Sequence, residues 1–376
     1  MANDIEIRRI EPTRGNLRRF THFQIDLYKG NDCYVPPLVT DDINTLTPSK
    51  NPAFDFCEAE YFMAYRDGKP VGRIAAIINH QVNEKEKELT GRFGFVDFID
   101  DPEVSGALLD AAEDWARSKG MRQMVGPLGF TDLDKEGVLV EGFDELSTMA
   151  TIYNYPYYVD HFRRHSYVED TTWLEFVMDV PDEIPEKMNR IADIVKSRNG
   201  LRVKKYKSRS KIKKDYGRDI FYLINETYKD LYGFSKLSER QIDSYINMYL
   251  NLLDLDLVSL IVDKDDRLVG VGISMPSLSR GLQRSHGRLF PFGWWHLLKG
   301  LKGKNDRVDL MLVGVKPEYK GANALLFQDL IPYYIKRGYK WAESNPEMAT
   351  NEKVQGQWQY FKNRNHRRRL AMKKKL

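Results

Sequence analysis

A six-residue break between two apolar runs is the part of this sequence whose composition best suits a chemical role. Residues 310–331 run LMLVGVKPEYKGANALLFQDLI, and the break is EYKGAN at 318–323. Backbone N–H groups at the start of a helix concentrate about half a unit of positive charge, which suits a phosphate group. Gly321 would let the backbone approach such a group closely. The alternative is an ordinary strand-to-helix turn, and these residues alone leave both interpretations open.

Two histidines four residues apart form another spacing that could do chemistry. His161 and His165 in the sequence HFRRH would lie on one face of a helix, where two imidazoles can share a metal ion. The zinc-protease pattern also needs a glutamate beside the first histidine, and no cysteine pair supplements the two imidazoles. The sequence therefore favours a structural or surface role for this pair, and we predict no metal site.

Two tracts of basic residues make the charge uneven, although the formal net charge is only +4. Residues 202–214 and 362–376 each hold eight lysines and arginines and no acid. Such tracts attract polyanions, which include the phosphates of CoA, RNA and the face of an anionic membrane. The alternative is a solvated basic strand and a solvated tail, and composition does not choose between them.

An aromatic segment with basic flanks stands apart from the regular pattern. Residues 288–304 run RLFPFGWWHLLKGLKGK. Tryptophans and leucines next to lysines are typical of helices that lie at a membrane interface. The segment could equally be a lid over an acyl or lipid-like substrate, or an insertion that packs on the body of its domain.

The elements that position these residues must fit into 376 residues, a length that suits two domains of roughly 150–200 residues each. Hydrophobic residues make up 42% of the chain, enough to build a core in each domain. Only Cys33 and Cys57 are present, which excludes a disulfide framework. Because the N-terminus lacks an apolar signal core and no run nears the ~18 apolar residues of a membrane span, we expect a cytoplasmic protein.

The same order of strands and helices is predicted twice along the chain. In each half a strand and one or two helices precede a hairpin, which turns at 66–69 in the first half and at 264–266 in the second. A third strand, a helix and a fourth strand follow. This pattern predicts a mixed α/β fold with two domains, residues 1–180 and 201–376, joined by a linker at 181–200.

The second half resembles the GNAT acyltransferase superfamily. The resemblance rests on LMLVGVKPEYKGANALLFQDL, then KRGYKWAESN and NEKVQGQWQYF, within residues 308–365. With GPLGFTDLDKEGVLVEGFDE in the first half and RLFPFGWWHLLKGLK in the second, the whole chain is similar to a bacterial branch that has two such domains in tandem. The resemblance implies two GNAT-like domains, each a mixed central sheet flanked by helices.

For the second domain the resemblance implies a site for acetyl-CoA or another acyl-CoA as co-substrate. In this family the loop after a central strand binds the CoA pyrophosphate through backbone N–H groups, and the strand binds the pantetheine arm. The cofactor-binding residues carried over to this chain are Val313, Val315, Tyr319, Lys320, Gly321, Ala322, Asn323, Ala324, Asn345 and Asn351. The family loop is Gln/Arg-x-x-Gly-x-Gly/Ala, so Glu318 and Asn323 depart from it, while Lys320 adds a positive charge.

The resemblance also implies two catalytic groups. Glu343, at the end of the strand after the motif helix, is predicted to take a proton from an ammonium nucleophile. The alternative is a surface carboxylate at a strand end. Many family members place a tyrosine seven residues after an asparagine that starts a helix, where it protonates the departing thiolate. From Asn351 that count reaches Trp358, so Tyr360, two residues on, is the predicted proton donor.

The first half has the predicted order of elements without this chemistry. Its equivalent loop, FIDDPEVSG, presents Asp100 and Asp101, whose negative charges would repel a pyrophosphate. We therefore predict a first domain without a cofactor site, which packs against the other domain and helps to shape the substrate site.

The leading hypothesis is an N-acyltransferase that moves an acyl group from CoA to a primary amine by direct attack. A binding protein that keeps the fold without transfer chemistry is the second hypothesis, and the altered loop and Trp358 favour it. The third is an aminoacyl-tRNA-dependent ligase, since tandem domains of this fold do such work and the basic tracts could hold RNA.

Overall fold

Strands and helices alternate along the chain in an order that occurs twice. The computed structural model describes residues 5–250 and 253–376. The elements of the first half are β1 (Glu6–Arg9), α1 (Arg14–Leu27), α2 (Val39–Thr45), β2 (Cys57–Arg66), β3 (Lys69–Asn79), α3 (His80–Glu86), β4 (Thr90–Phe98), α4 (Pro102–Ser118), β5 (Gln123–Gly126), β6 (Val138–Glu141), α5 (Tyr157–Arg164) and β7 (Val168–Asp179). Those of the second half are α6 (Glu186–Asn199), β8 (Arg202–Lys204), α7 (Arg209–Thr227), α8 (Glu239–Tyr249), β9 (Val258–Val262), β10 (Leu268–Pro276), α9 (Ser279–Ser285), α10 (Gly293–Lys302), β11 (Arg307–Val315), α11 (Asn323–Arg337), β12 (Trp341–Ser344), β13 (Glu347–Met348), α12 (Glu352–Gln355) and β14 (Asn363–Lys375). Within the described ranges, no helix combines the length and the apolar character that a membrane crossing requires.

Turn chemistry fixes the two hairpins that the sequence predicts. Between β2 and β3, Asp67 and Gly68 have φ angles of 50° and 74°, which is the geometry of a tight two-residue turn between antiparallel strands. Between β9 and β10, Asp266 has a φ of 63°, and Asp263 Oδ1 accepts a hydrogen bond from the Asp265 amide at 2.9 Å. Both hairpins form where the Asp-rich and Gly-rich turns stand in the sequence.

The chain divides into two compact units, and each takes segments from both halves of the sequence. The first unit contains the residues up to Leu174 together with Leu278–Leu297 and His366–Leu376. The second contains Glu175–Ser277 and Leu298–Asn365.

The sheet of the first unit has the strand order β1-β2-β3-β4-β5-β14. Its neighbours pair antiparallel except β4 and β5, which are parallel. Helix α4 packs on this sheet through Leu108 and Ala112, which are fully buried in one cluster with Phe93 and Phe98 of β4. The four-residue spacing on α4 aligns these side chains along the face that meets the sheet.

The sheet of the second unit repeats the pattern in the order β8-β9-β10-β11-β12-β7. β11 and β12 are parallel, as β4 and β5 are, and the other neighbours are antiparallel. Ile261 packs in a cluster with Leu325 of α11, whereas its neighbour Leu260 packs in a cluster with Ile220 of α7. Because adjacent strand residues point to opposite faces, helices cover both faces of this sheet. The mixed α/β fold predicted from the sequence is confirmed.

The last strand of each half lies in the sheet that the other half forms. β14 lies beside β5, with Met372 opposite Gly126, and β7 lies beside β12. The predicted domains, residues 1–180 and 201–376, assign β7 to the first domain and β14 to the second, so they do not include this exchange of strands. Both pairings join strands that are far apart in sequence, so no local sequence pattern predicts them.

The C-terminal basic tract forms a strand whose middle is buried, rather than a solvated tail. Arg367 and Arg369 are fully buried in the first unit, and each donates to a backbone carbonyl there. Lys374 pairs with the buried carboxylate of Glu113 at 2.8 Å. These charges are used within the fold, so this tract offers far fewer cations to a polyanion than its composition indicates.

Part of the predicted linker is a helix of the second unit. Helix α6 begins at Glu186, and its Met188, Ala192 and Val195 are buried in the cluster that contains the apolar face of α11. Their spacing of four and three residues places them on one side of the helix. The stretch between the two halves therefore contributes to the core instead of serving only as a connection.

Candidate functional site

The neighbouring strands β11 and β12 separate in the middle of the second unit's sheet. Their parallel pairing ends where Leu310 lies opposite Ser344, the last residue of β12. β11 continues to Val315, still paired with β10 on its other side. The register between β10 and β11 shifts here, so that Met311 is an extra residue that bends the strand. Beyond Leu310, the edge of β11 that pairs with β12 up to that point is therefore no longer paired with β12.

Side chains occupy two carbonyl groups on this edge of β11. Asn345 Nδ2 donates to the Met311 oxygen at 2.9 Å, and the Tyr228 hydroxyl donates to the Val313 oxygen at 2.9 Å. Because polar groups of alternate strand residues face the same side, Val315 presents its backbone to this edge as well. Val313, Val315 and Asn345 therefore lie together at this strand edge, and their role in cofactor binding stays a prediction. A ligand amide that binds the Val313 oxygen would replace the Tyr228 hydroxyl.

The loop after β11 is held in shape by bonds within its own backbone. The Tyr319 amide donates to the Lys316 carbonyl and the Ala322 amide to the Tyr319 carbonyl, both at 3.0 Å. Gly321 has a φ of 85°, a conformation that residues with a side chain rarely adopt. A Cβ at this position would also lie 3.2 Å from Val195 Cγ2 of α6. The turn itself therefore requires the glycine.

The helix that follows this loop begins without a side-chain cap. Ala322 occupies the N-cap position, α11 starts at Asn323, and the first turn contains no acid. The Ala322 side chain offers no acceptor to the first N–H groups of the helix, but the Ala322 carbonyl accepts from the Leu325 amide at 2.9 Å. Lys320 is exposed in the adjoining loop. The start of α11 therefore has the partial positive charge that suits a phosphate group.

The predicted base Glu343 is buried, so it is not a surface carboxylate. The Arg307 guanidinium donates to its Oε2 at 3.2 Å, and a carboxylate oxygen of Glu175 lies within 4.8 Å. Glu343 lies opposite Asp309, in the part of β12 that is still paired with β11. The role of Glu343 as a base stays a prediction.

A second carboxylate, which the sequence analysis missed, lies just beyond the separated strands. Trp358 Nε1 donates to both oxygens of Glu347, at 3.0 and 3.1 Å. Burial raises the pKa of Glu347 from 4.5 to about 7, while hydrogen bonds from Trp358 and Ser344 lower it less strongly. A carboxyl group with this pKa can accept a proton near neutral pH. Trp358, seven residues after Asn351, therefore orients this acid.

The helix predicted after Asn351 is a single turn. α12 spans four residues, and a separate 3₁₀ turn follows at Trp358–Tyr360. A count along one continuous helix therefore does not place Tyr360, whose ring centroid lies 5.2 Å from Lys187 Nζ. Asn351 Oδ1 accepts from the Val354 amide at 3.3 Å and so caps α12. The roles of Tyr360 in proton donation and of Asn351 in CoA binding stay predictions.

Two residues that the structure places near the separated strands, Glu347 and Tyr228, had only weak signals in the sequence. Glu347 stands in Asn-Pro-Glu, directly after β12, where an acid after proline is also typical of a turn. Tyr228 caps the C-terminal end of α7, and its contact with Val313 spans 85 positions of the chain. Only the packing of α7 against β11 reveals that this hydroxyl lies at the strand edge.

The histidine pair serves two hydrogen-bond networks in the first unit. His161 Nδ1 lies 2.7 Å from Ser105 Oγ, and its Nε2 lies 2.8 Å from Asp100. His165 Nε2 lies 3.3 Å from Glu113, and the charges around Glu113 lower the pKa of that carboxyl to about 2 despite its burial. Each imidazole thus has its own partners, but Asp110, Glu113 and His165 also bring one ligand atom each within 4.8 Å of one another, so the absence of a metal site stays a prediction.

The first basic tract is partly neutralised within the second unit. Arg202 and Lys204 both pair with Asp266, at 2.7 and 2.9 Å. Lys205 pairs with Asp329 at 2.9 Å. These ion pairs reduce the charge that the tract offers to RNA.

Two relatives share most of their length with this chain, whereas no family model matches it. A protein of Caulobacter vibrioides named bacterial ceramide synthase is 28% identical over 313 residues, which is 82% of this chain and 80% of that protein. Protein YghO of Escherichia coli is 28% identical over 309 residues, which is 82% of this chain and 78% of that protein.

Solved structures match the fold at low sequence identity. A tandem GNAT protein from the clavulanic acid biosynthesis pathway matches with a TM-score of 0.57 at 12% identity, over 99% of this chain and 98% of that one. A GCN5-related glucosamine N-acetyltransferase region of a fungal β-N-acetylglucosaminidase matches with a TM-score of 0.53 at 12% identity, over 100% of this chain and 38% of that one. The chain therefore has the tandem GNAT fold that its sequence predicts.

Proposed function

We propose that the protein is an acyl-CoA-dependent N-acyltransferase whose cofactor site lies in the second unit. The observation that carries this proposal is the uncapped start of α11 next to the separated edge of β11. The helix start would hold the CoA pyrophosphate, and the strand edge would hold the amides of the pantetheine arm. The left-handed conformation of Gly321 and the exposed Lys320 support the same assignment.

The acceptor in this proposal is a long-chain primary amine. A relative that aligns over most of both chains is named a bacterial ceramide synthase, and a ceramide is the amide of a fatty acid with a long-chain amino alcohol. The amine nitrogen attacks the thioester carbonyl carbon, the C–N bond forms, and the C–S bond breaks. A base takes one proton from the ammonium before the attack. After the attack the nitrogen loses a second proton, and the departing CoA thiolate gains one.

Two carboxylates and two tyrosines are the groups proposed for these proton transfers. Glu343 is the base that the family resemblance implies, and Glu347 is the carboxyl group whose pKa, raised by burial to about 7, suits the task at neutral pH. Tyr360 is the donor that the resemblance implies, whereas the Tyr228 hydroxyl already lies at the strand edge, 2.9 Å from the Val313 oxygen. Glutamine at each acid and phenylalanine at each tyrosine, compared one at a time, would assign the roles.

Turnover of acyl-CoAs of increasing length with a panel of primary amines tests the proposal, with the amide detected by mass spectrometry. We expect an amide of a long-chain amino alcohol, and we expect E347Q to lower kcat by about 100-fold or more while acyl-CoA binding persists. CoA binding without any amide would favour a binding protein. Salt-sensitive binding of tRNA, with no binding of CoA esters, would favour the ligase hypothesis.

A further inference from the structure

Four aromatic side chains project from the segment between α9 and the first turn of α10. The exposed fractions are 79% for Phe290, 73% for Phe292, 46% for Trp294 and 52% for Trp295. We call these four residues the aromatic patch. They are consecutive or nearly so, belong to the first unit, and lie outside the loop and strand edge proposed to bind CoA. Large apolar groups grouped in this way on a surface mark an interaction site.

Hydrogen bonds fix the backbone of this segment, so the four aromatic rings are held in exposed positions. The Trp294 amide donates to the Leu289 carbonyl at 2.9 Å, and the Trp295 amide donates to the Phe292 carbonyl at 3.1 Å. Trp294 Nε1 donates to the Pro291 carbonyl at 3.1 Å. A Cβ at Gly293 would meet backbone atoms of the preceding turn, so the turn closes tightly on itself. The rings are thus held outward while the segment remains ordered.

The side of the segment opposite the aromatic patch is held by buried contacts and a backbone hydrogen bond. Leu297, in the second turn of α10, is buried. Gly281 of α9 lies so close that a Cβ there would be 3.0 Å from the His296 carbonyl oxygen. The Val39 amide donates to the Gly287 carbonyl at 2.9 Å. One side of the segment therefore packs on the first unit, and the aromatic patch is the side that remains.

The chain segment that contains the patch carries positive charges only. Residues 277–305 contain six lysines and arginines and no acid. Arg284 and Arg288 are exposed, and neither has an ion-pair partner among the described residues. Arg18 of α1 lies in the same neighbourhood, since burial, Arg288 and Arg18 all lower the pKa of His22, while Asp26 opposes this shift. Lys299 and Lys302 are exposed on the following turns of α10.

We propose that the aromatic patch inserts into the surface of a bilayer that contains anionic phospholipids. Phenylalanines reach the acyl boundary, tryptophan rings settle at the headgroup level, and the flanking arginines and lysines contact lipid phosphates. A bilayer fits better than an acidic protein partner because the most exposed groups, Phe290 and Phe292, have no polar atom to pair. The inference goes beyond the proposed function and does not depend on it, because it rests on this surface alone.

Sedimentation of the full chain with vesicles tests the inference. One vesicle set contains phosphatidylcholine alone, and the other contains phosphatidylcholine with about a third phosphatidylglycerol. We expect the chain to bind the anionic vesicles and the double variant F290S/F292S to lose at least tenfold in partition coefficient. R284E/R288E should lose the preference for anionic vesicles. I194S is the matched control, because Ile194 is 57% exposed on α6, away from the patch in sequence, and its binding should equal that of the native chain.

Equal binding of the native chain and F290S/F292S would overturn the inference, as would a native chain that stays in solution with both vesicle sets. Self-association of the native chain that F290S/F292S abolishes, without vesicle binding, would assign the patch to an interface between copies instead. The thermal midpoint of each variant provides the folding check. Because the replaced rings are exposed, the midpoint should match that of the native chain, and a native-like midpoint with lost vesicle binding supports the inference.

Discussion

At the scale of single residues, Glu347 couples the site to pH through its burial. Its pKa is raised from 4.5 to about 7, so between these values the folded chain holds a proton that the unfolded chain has lost. Stability from this group is therefore fully present below pH 4.5 and is lost as the pH rises through 7. The loss is on the order of 3 kcal/mol in the free energy of unfolding.

The variant E347Q should remove this dependence. The free energy of unfolding of E347Q minus that of the native chain should increase as the pH rises from 4.5 to 8. Urea denaturation at a series of pH values measures this difference. If Glu347 is the base, kcat/KM of the native chain should rise with pH to a plateau above about 7, the pKa of this group. Parallel stability curves for E347Q and the native chain would contradict the assigned burial of this carboxyl group.

The site residues differ in how far the sequence predicted them. Gly321 was predicted as a position of close backbone approach, and its left-handed φ of 85° explains why glycine is needed there. Glu347 was missed because its pKa depends on burial by Trp358 and neighbouring segments, which local composition does not encode. Tyr228 was missed because its contact with the Val313 carbonyl is made across the packed helix α7.

At the scale of elements, β14 offers a direct comparison of buried and exposed arginines on one strand. Arg369 is fully buried and donates to the Ile152 carbonyl. Its neighbour Arg368 has a side chain that is 39% exposed and pairs loosely with Glu141 at 3.4 Å. Removal of the buried group leaves a cavity and an unsatisfied carbonyl, whereas the exposed pair contributes little.

We therefore expect R369A to lower the free energy of unfolding by about 3 kcal/mol. R368A, the matched control, should lower it by less than about 1 kcal/mol. Urea denaturation followed by circular dichroism measures both. Equal losses for the two variants would show that β14 is not buried in the way described.

Most elements were predictable because their signals are local. The hairpin at Asp67 and Gly68 follows from turn chemistry, and the helices follow from apolar spacing and caps such as Asp101 at the start of α4. The helix after Asn351 was predicted too long, because the helix ends at Gly356 and a 3₁₀ turn takes over. That difference removes the basis for a fixed helical count from Asn351 to a tyrosine.

At the scale of the whole molecule, the structure makes the first unit dependent on the last eleven residues of the chain. His366–Leu376 belongs to that unit, and Leu370, Ala371 and Met372 are almost completely buried in it. A chain that ends at residue 365 should lose hydrogen-exchange protection in β3 and β4. A synthetic peptide of residues 363–376 added in trans should restore it.

If the chain instead divided into two domains at 181–200, this truncation would change hydrogen-exchange protection in different strands. If the C-terminal strand served only the second half, protection would fall in β9–β11 and stay unchanged in β3 and β4. Loss confined to the second unit would therefore contradict the strand exchange. The exchange could not be predicted from the sequence, because each half carries a complete set of strand signals and nothing local tells which sheet the last strand joins.

Acyl-CoA binding at the start of α11 is the central claim, and α11 supplies a matched pair of glycines to test it. Gly321 at the start has a φ of 85°, and Gly338 at the end has a φ of 72°. A side chain at either position is strained by roughly 1–2 kcal/mol, but only Gly321 lies at the proposed phosphate site. G338A therefore controls for backbone strain, while G321D adds a negative charge where the pyrophosphate would bind and a Cβ that would lie 3.2 Å from Val195 Cγ2.

Calorimetric titration of the native chain, G321D and G338A with acetyl-CoA and with longer acyl-CoAs tests the claim most directly. We expect one site per chain for the native protein and for G338A, and a loss of at least tenfold in affinity for G321D. No binding of any CoA ester by the native chain, or equal binding by G321D, would contradict it.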